Sequence, residues 1–300
     1  MDRRRAAIPL LVTVMLMAAC GSAPGGTPGS AGATADASGT PPAGAQGGGT
    51  TSASAAGPSP TPSATAPPAP TTLVAVLPVP AAELDAGKDK LYCPKGAPAG
   101  CHGYADMPGY LGQVVGLLVP LFDGTYGVEN RPAAFNYVPA GVAGPTACLK
   151  DDGTPDQYAS QDFSYCTADR AISAGQDALW SLYTGVGGAA AAVGYAHEWG
   201  HHIQHVMGVP EPETPEENAV LETQADCIAG AWVRQAAQSG YLEYPADLGD
   251  PAALLAAIAP PDAGEAAAPV QERIDALLLG YNSGLPGCNA YFPETPVSKG

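Results

Sequence analysis

The sequence predicts a mainly α protein of the α+β class, with a helical core and a small, irregular β-containing lobe on its N-terminal side. An alanine-rich run over 187–207 ends at Gly208, with Pro210 just beyond, which is typical of a helix terminus. The segment 214–217 (Thr-Pro-Glu-Glu) begins a second helix, because it forms a capping box with proline at the first helical position. Short β-like runs at 114–121 and 134–138 come earlier in the chain and indicate the lobe.

Residues 1–19 are predicted to be an export signal. They have a basic start at residues 3–5, an apolar run to Met17 and two alanines before Cys20, and they are too short for a mature membrane-spanning helix. The segment 16–21 resembles the bacterial lipobox, although Met17 replaces the usual leucine. That resemblance implies a lipid on Cys20 that anchors the exported protein to the outer face of the bacterial cell membrane. The alternative is ordinary secretion, with Cys20 discarded or left free.

Residues 20–72 are predicted to be a disordered tether rich in Ala, Gly, Ser, Thr and Pro. The segment has almost no large apolar side chain, so it cannot bury enough surface to offset the entropy of ordering it. The folded domain is expected at 73–300, with a core at about 145–292, and that length is ample for a continuous core.

The charge balance argues against a nucleic-acid partner. The whole chain has a formal net charge of -17, and removal of residues 1–19 takes away three arginines and one aspartate, which leaves -19. Phosphate binding needs clustered Lys and Arg, so we expect no nucleic acid. An acidic surface is sufficiently explained by solubility outside the cell.

Further helices follow from local signals. Residues 178–183 are apolar, and Leu221, Ile228 and Trp232 recur at helical spacing and should face the core, as should Trp199. A third helix is expected to begin at 250–251 (Asp-Pro), and a fourth to run from Pro269 to Leu279, just before Gly280.

The stretch 197–205 carries four of the five histidines, and its first part reads H-E-x-x-H. On a helix, His197 and His201 project from one face with Glu198 beside them, which is the pattern of a zinc site that activates water. A catalytic zinc takes three protein ligands and keeps one position for water, so a third ligand is needed. Glu198 would then act as the base that takes a proton from that water.

Glu222 is the candidate third ligand. It lies 21 residues after His201, on the separately capped second helix, and two helices packed side by side would bring it over the histidines. This arrangement resembles the glutamate zincins, in which the third ligand is a Glu on the following helix and an Asp four residues later supports a ligand histidine. The resemblance implies a zincin-like core, one catalytic Zn²⁺ on His197, His201 and Glu222, and Asp226 as the support that accepts an imidazole N–H.

The chain also resembles a bacterial family of neutral zinc metallopeptidases. The resembling segments span about half of the chain: they are 165–166 (Tyr-Cys), 196–204 (AHEWGHHIQ), 221–230 (LETQADCIAG), 271–273 (Gln-Glu-Arg) and 280–281 with Cys288. Thr223 departs from the usual leucine, and the segment after Cys166 diverges, which affects the substrate cleft more than the ligands. The resemblance implies a metalloprotease that hydrolyses peptide bonds through a zinc-activated water, with an unidentified peptide or protein substrate. Together with the lipobox-like segment, it predicts a membrane-anchored enzyme.

Apart from Cys20, six cysteines remain in the chain. An even number in an exported protein indicates disulfides, although six cysteines allow 15 pairings, and the absence of any C-x-x-C makes a thiolate zinc site improbable. Cys93 and Cys101 enclose a Pro/Gly-rich loop and are expected to pair. The family resemblance implies the other two pairs, Cys148–Cys166 and Cys227–Cys288.

Several alternatives stay open at the level of sequence. The donor that stabilises the oxyanion has four unranked candidates, which are His202, His205, Tyr195 and Tyr281. His205 is also an alternative ligand, one turn further along, but the metzincin pattern is excluded because Gln204 and Met207 occupy its glycine and third-histidine positions. A lipoprotein that binds zinc without catalysis, as an interaction module, is the second functional hypothesis. Glu198 argues against it, since a pure binder needs no base.

Overall fold

The computed structural model describes residues 72–85, 91–96, 99–150, 153–249, 251–258 and 268–299. These residues all belong to one compact unit. The predicted signal peptide, Cys20 and positions 20–71 of the predicted tether lie outside the described residues, so their assignment stays a prediction.

A helical core with small sheets confirms the predicted fold class. Helices α3 and α4 pack against each other, and α6 packs along α4. The α-helices are α1 (Met107–Tyr126), α2 (Gln176–Gly185), α3 (Gly188–Met207), α4 (Pro215–Gln238), α5 (Pro251–Ile258) and α6 (Val270–Ser283).

Two small sheets accompany the helices. The strands are β1 (Val74–Ala75), β2 (Ala134–Val138), β3 (Ala143–Leu149), β4 (Pro155–Ala159), β5 (Phe163–Cys166) and β6 (Ala171–Gly175). The first sheet has the order β1-β2-β6-β5, in which β2 and β6 are parallel and the other pairs antiparallel. Strands β3 and β4 form an antiparallel hairpin of their own. Strand β5 is an edge strand that contacts α3, so the sheet borders the helix of the H-E-x-x-H motif.

The β-like run predicted at 114–121 is wrong, because it forms the middle of α1, whereas the run at 134–138 is β2. Two glycines of α1, Gly112 and Gly116, are close-packing positions. A Cβ on Gly116 would lie 2.2 Å from the carbonyl oxygen of Val79, and one on Gly112 would lie 3.3 Å from that of Leu77. By length and composition α1 is apolar enough to cross a membrane, but most of its apolar side chains are buried in the core.

Local signals set the ends of α3 and α4. Helix α3 stops at Gly208, which adopts the left-handed conformation with φ 75° that glycine accommodates without strain. The α4 capping box forms as expected: Thr214 Oγ1 accepts from the Glu217 N–H, and the Glu217 carboxylate accepts from the Thr214 N–H. Trp199 and Trp232 are fully buried, as predicted for core side chains.

The predicted end of the last helix is wrong, because α6 continues past Leu279 to Ser283 and Gly280 lies inside it. Gly280 is required by packing instead of by helix termination. A Cβ there would lie 1.8 Å from the carbonyl oxygen of Cys227, and one on Gly230 would lie 2.0 Å from that of Leu277. The backbones of α4 and α6 therefore meet without intervening side chains.

The residues that the structure describes form three disulfides, and these are the predicted pairs: Cys93–Cys101, Cys148–Cys166 and Cys227–Cys288. Cys148–Cys166 joins β3 to β5 beside the H-E-x-x-H helix. Cys227–Cys288 joins α4 to the short 3-10 helix after α6, and so holds Glu222's helix against its neighbour.

Candidate metal centre

Helices α3 and α4 bring His197, His201 and Glu222 together. A ligating atom from each lies within 4.8 Å of the other two. The Nε2 atoms of the two histidines are 3.1 Å apart. The Glu222 carboxylate faces both rings, with Oε2 3.1 Å from His197 Nε2 and Oε1 3.5 Å from His201 Nε2. This approach is possible because Gly200 lets α3 lie against Ala225 of α4, where a Cβ would be only 3.1 Å from the Ala225 Cα.

Asp226 holds His197 from behind. Its Oδ1 is 2.9 Å from His197 Nδ1, and both side chains are fully buried. Arg273 of α6 donates to the same carboxylate, with Nε 2.7 Å from Oδ2 and Nη2 3.0 Å from Oδ1. Burial alone would lower the pKa of Arg273, but the charge of Asp226 raises it overall, so the guanidinium stays protonated. An ionised Asp226 can only accept, so His197 carries its proton on Nδ1.

His201 is supported by a neutral group. Its Nδ1 lies 2.9 Å from Gln204 Oε1, while Gln204 Nε2 donates to the backbone carbonyl of Leu221 at 2.7 Å. A carbonyl only accepts, so the amide nitrogen must face Leu221 and the amide oxygen must face His201. The proton of His201 is therefore on Nδ1 as well.

When both imidazoles are neutral, their Nε2 atoms present lone pairs to each other and to a carboxylate, so three acceptors converge. Such a cluster needs a positive charge between its members, either a proton on Nε2 or a metal ion. Tetrahedral zinc bound to N and O ligands at about 2.0–2.1 Å keeps them roughly 3.3 Å apart, and the measured separations of 3.1 to 3.5 Å match that spacing. The donor set and its dimensions fit a zinc ion.

The field at the cluster also favours positive charge. Burial alone would lower the pKa of His197, but Asp226 and then Glu222 raise it to about 10. Burial would raise the pKa of Glu222, yet His201 and His197 hold it well below its ordinary value. The side chain of Glu222 is 17% exposed, whereas those of His197 and His201 are buried.

Glu198 is fully buried, and its two carboxylate oxygens accept no hydrogen bond from the residues that the structure describes. Burial raises the pKa of Glu198 to about 7, although the charges of His201 and His197 act in the opposite direction. A buried polar group without a partner costs about 1–3 kcal/mol. Its retention beside the ligand histidines is expected for a group that acts on a reactant.

The four candidate oxyanion donors are now distinguishable. His202 is engaged elsewhere, with Nε2 2.6 Å from the Asn130 carbonyl and Nδ1 3.1 Å from the Tyr165 hydroxyl, and burial lowers its pKa to about 4. Tyr281 stacks on Tyr244 at 3.6 Å between ring centroids. Tyr195 is fully buried in the core. His205 is exposed on the same face of α3 as the cluster.

A cleft opens beside His201, and it contains about 570 Å³ of empty space, including its mouth. Its lining includes Tyr165, His201, Gln204, His205, Glu211 and Leu221. Tyr165 and Gln204 had no assigned role in the sequence analysis, and neither had Arg273. All three lie in motif segments of the family resemblance, which was the only signal that could have found them.

Comparison with known proteins agrees with this geometry. The profile of the family described as "Putative neutral zinc metallopeptidase" matches residues 157–262, about a third of the chain. Two curated relatives, both named "Uncharacterized protein YpfJ", come from Escherichia coli K12 and from E. coli O6:H1. Each is 40% identical over an alignment of 65 residues, which covers 17% of this chain and 23% of the relative.

The chain therefore spans about a quarter of the length of these relatives. No solved structure matches the chain significantly. The stretch of the chain that is similar to the neutral zinc metallopeptidase family contains the whole cluster of His197, His201 and Glu222, together with Glu198.

Proposed function

We propose that this protein is a zinc-dependent metallopeptidase that hydrolyses peptide bonds. The observation that carries the proposal is the convergence of three lone-pair donors, two of them imidazoles of fixed tautomer, beside a buried carboxylate without a partner. His197, His201 and Glu222 would hold the ion. A zinc ion held there lowers the pKa of water to about 7 and polarises the carbonyl of the scissile bond.

The chain's own residues have the remaining tasks. Glu198 accepts the proton of the attacking water and delivers it to the leaving amine, a task for which a carboxylate with pKa near neutrality is suited. Asp226 holds the ring of His197 in position. The cleft beside His201 binds the peptide, and exposed His205 at its wall is the remaining candidate donor for the oxyanion.

The site of action is proposed from the N-terminal sequence. The signal segment and the lipobox-like residues before Cys20 support export and a lipid anchor, and the following Ala/Gly/Ser/Thr/Pro-rich segment would allow the domain to reach substrates away from the membrane surface. The three disulfides are typical of an exported protein.

Metal removal tests the proposal. The purified chain is expected to cleave members of a broad peptide library, to lose this activity after treatment with a zinc chelator, and to regain it with one equivalent of Zn²⁺. Cleavage that persists in metal-free protein would overturn the proposal. Stoichiometric zinc without cleavage of any peptide would favour the non-catalytic zinc-binding lipoprotein instead.

A further inference from the structure

Two buried glutamines connect His201 to the neighbouring helix. Gln204 is 2% exposed and Gln224 is fully buried. Gln204 Nε2 donates to Gln224 Oε1 at 3.1 Å, in addition to its bond to the Leu221 carbonyl. Gln224 Nε2 in turn donates to the backbone carbonyl of Cys288 at 3.0 Å. The chain of bonds runs from a disulfide-linked residue to the ring of a candidate ligand.

The direction of every bond in this chain is determined by its far end. The Cys288 carbonyl only accepts, so the amide nitrogen of Gln224 must face it and the amide oxygen must face Gln204. Gln204 must then present its nitrogen to α4 and its oxygen to His201 Nδ1, which leaves the His201 Nε2 lone pair directed at Glu222 and His197. The opposite orientation of either amide would place two acceptors or two donors in contact.

We propose that Gln204 and Gln224 form an amide relay, anchored on the Cys288 carbonyl, that positions His201 for metal binding and thereby sets the zinc affinity of the site. The inference rests on the proposed zinc site but not on peptide hydrolysis. The two glutamines support His201 as the Asp226–Arg273 pair supports His197. The glutamine side chains are neutral, whereas Asp226 and Arg273 form an ion pair. The relay supplies an acceptor for the imidazole N–H without adding a further carboxylate to those of Glu198, Glu222 and Asp226.

The neutral relay also explains why two glutamines occupy a core position. A buried amide with unmet hydrogen-bonding groups destabilises a core, so a pair of them is retained only when each member is satisfied. Gln204 satisfies its oxygen through His201 and its nitrogen through two carbonyl-type acceptors. Neither glutamine contacts Glu198 or Glu222 in the bonds described. Gln204 contacts the ring of His201 directly, and its bond to the Leu221 carbonyl also ties α3 to the turn of α4 that carries Glu222.

Zinc affinity and the NMR signal of one imidazole proton test the relay in the full-length chain. We expect Gln204→Met to weaken zinc binding by roughly 10–100-fold, the range found when the partner behind a ligand histidine is removed. Gln224→Met should weaken it less, and the double variant should be no weaker than Gln204→Met alone, because both act on one chain of bonds. The matched control is Gln238→Met, which replaces an exposed glutamine on α4, the helix that carries Gln224. It should leave the zinc affinity unchanged.

The second readout is the Nδ1–H resonance of His201 in zinc-loaded protein labelled with ¹⁵N-histidine. It should move upfield and exchange faster with water in Gln204→Met, while the corresponding His197 resonance stays in place. A purely structural role for Gln204 would lower thermal stability without moving that resonance. If Gln204→Met does not fold, Gln224→Met carries the same test with a smaller expected shift.

The outcomes separate the relay from the proposed function. Zinc affinity and His201 resonance that are both unchanged in the glutamine variants would overturn the relay while leaving the metallopeptidase proposal intact. Failure of the unmodified chain to bind zinc at all would overturn both. Zinc binding with the predicted losses, but no cleavage of any peptide, would support the relay and overturn the peptidase activity.

Discussion

Arg273 donates to Asp226 through two nitrogens, at 2.7 and 3.0 Å, although 47 residues separate them in the chain. Both side chains are buried, and Asp226 in turn accepts from His197. Arg273 Nη1 also donates to the Leu255 carbonyl at 3.0 Å, so one guanidinium joins α4, α5 and α6 behind the metal cluster.

Removal of Arg273 should therefore destabilise the fold strongly. We expect Arg273→Met to lower the free energy of unfolding by about 3–5 kcal/mol, since it leaves a buried carboxylate without its counter-ion. Urea unfolding measures the change. Arg234→Met is the control: this arginine of α4 donates to the Asn282 carbonyl in an exposed bond, and its loss should cost less than about 1 kcal/mol. Equal effects of the two substitutions would contradict the role given to Arg273.

Loss of Glu222 should remove most of the metal affinity. Its carboxylate is the anionic member of the three-residue cluster, so we expect Glu222→Ala to weaken zinc binding by more than the ~10–100-fold typical of lost supporting contacts. Competition with a chromophoric chelator gives the dissociation constant. Glu216→Ala, in the exposed first turn of the same helix, should bind zinc as the unmodified chain does. Full zinc retention in Glu222→Ala would exclude Glu222 as the third ligand.

The glycine contact between α4 and α6 should be intolerant of a methyl group. A Cβ on Gly280 would lie 1.8 Å from the Cys227 carbonyl oxygen, so Gly280→Ala must separate the helices and should cost at least ~1–3 kcal/mol. Gly124→Ala in α1, where a Cβ meets nothing within 4 Å, should instead stabilise by roughly 0.5–1 kcal/mol through helix propensity. Thermal unfolding of the two variants gives shifts of opposite sign, and a stabilising Gly280→Ala would refute the close packing.

Asp169, outside the candidate metal centre, is expected to make the stability of the fold depend on pH. Its Oδ2 accepts from Thr146 Oγ1, the Ala147 N–H and the Tyr158 hydroxyl, at 2.6 to 3.0 Å. Burial alone would raise the pKa of Asp169, but these three bonds lower it below the ordinary value. Because the pKa of Asp169 is lower in the folded state than in the unfolded state, its ionisation stabilises the fold at pH values above the unfolded-state pKa of about 3.9. This stabilisation is lost as the pH falls through the folded-state pKa.

Asp169→Asn should therefore lower the free energy of unfolding at pH 7 by about 1–2 kcal/mol. The difference between the unmodified chain and the variant should shrink steadily below pH 4. Urea unfolding at a series of pH values measures it. A difference that grows on acidification would have the wrong sign for a lowered pKa.

Features that depend on residues close together in the chain, such as the ends of helices, can be predicted from the sequence. The ends of α3 and α4 follow from Gly208 and from the Thr214–Glu217 capping box, both of which act within one helical turn. The spacing of H-E-x-x-H places His197 and His201 on one face of a helix. The resemblance to glutamate zincins predicts Glu222 on the next helix as their partner. The structure places the three side chains together, and their assignment as ligands remains a proposal.

Features that depend on distant contacts could not be derived from the sequence in the same way. Helix α1 is rich in apolar residues and in glycine, which favours the interpretation of 114–121 as a β-like run, whereas Gly112 and Gly116 are positions where the backbone of residues 77–79 approaches the helix. The prediction of a helix end at Gly280 is wrong because this glycine is required by contact with Cys227 of α4, which is distant in the chain. Arg273 and Gln224 acquire their roles from partners distant in the chain, Asp226 and Cys288, and no local pattern records such partners. Gln204 contacts His201 one turn earlier on α3, but its orientation is set by Leu221 and Gln224 of α4.

We propose that Glu198 is the base of a zinc peptidase and holds no metal itself. The most direct test is Glu198→Gln in the full-length chain, with zinc content and cleavage of a peptide library measured on the same preparation beside the unmodified protein. We predict one zinc ion per chain in both proteins and a loss of hydrolysis by at least ~100-fold in the variant, which is the lower range for removal of a general base. Cleavage by zinc-loaded Glu198→Gln at the rate of the unmodified chain would exclude Glu198 as the base.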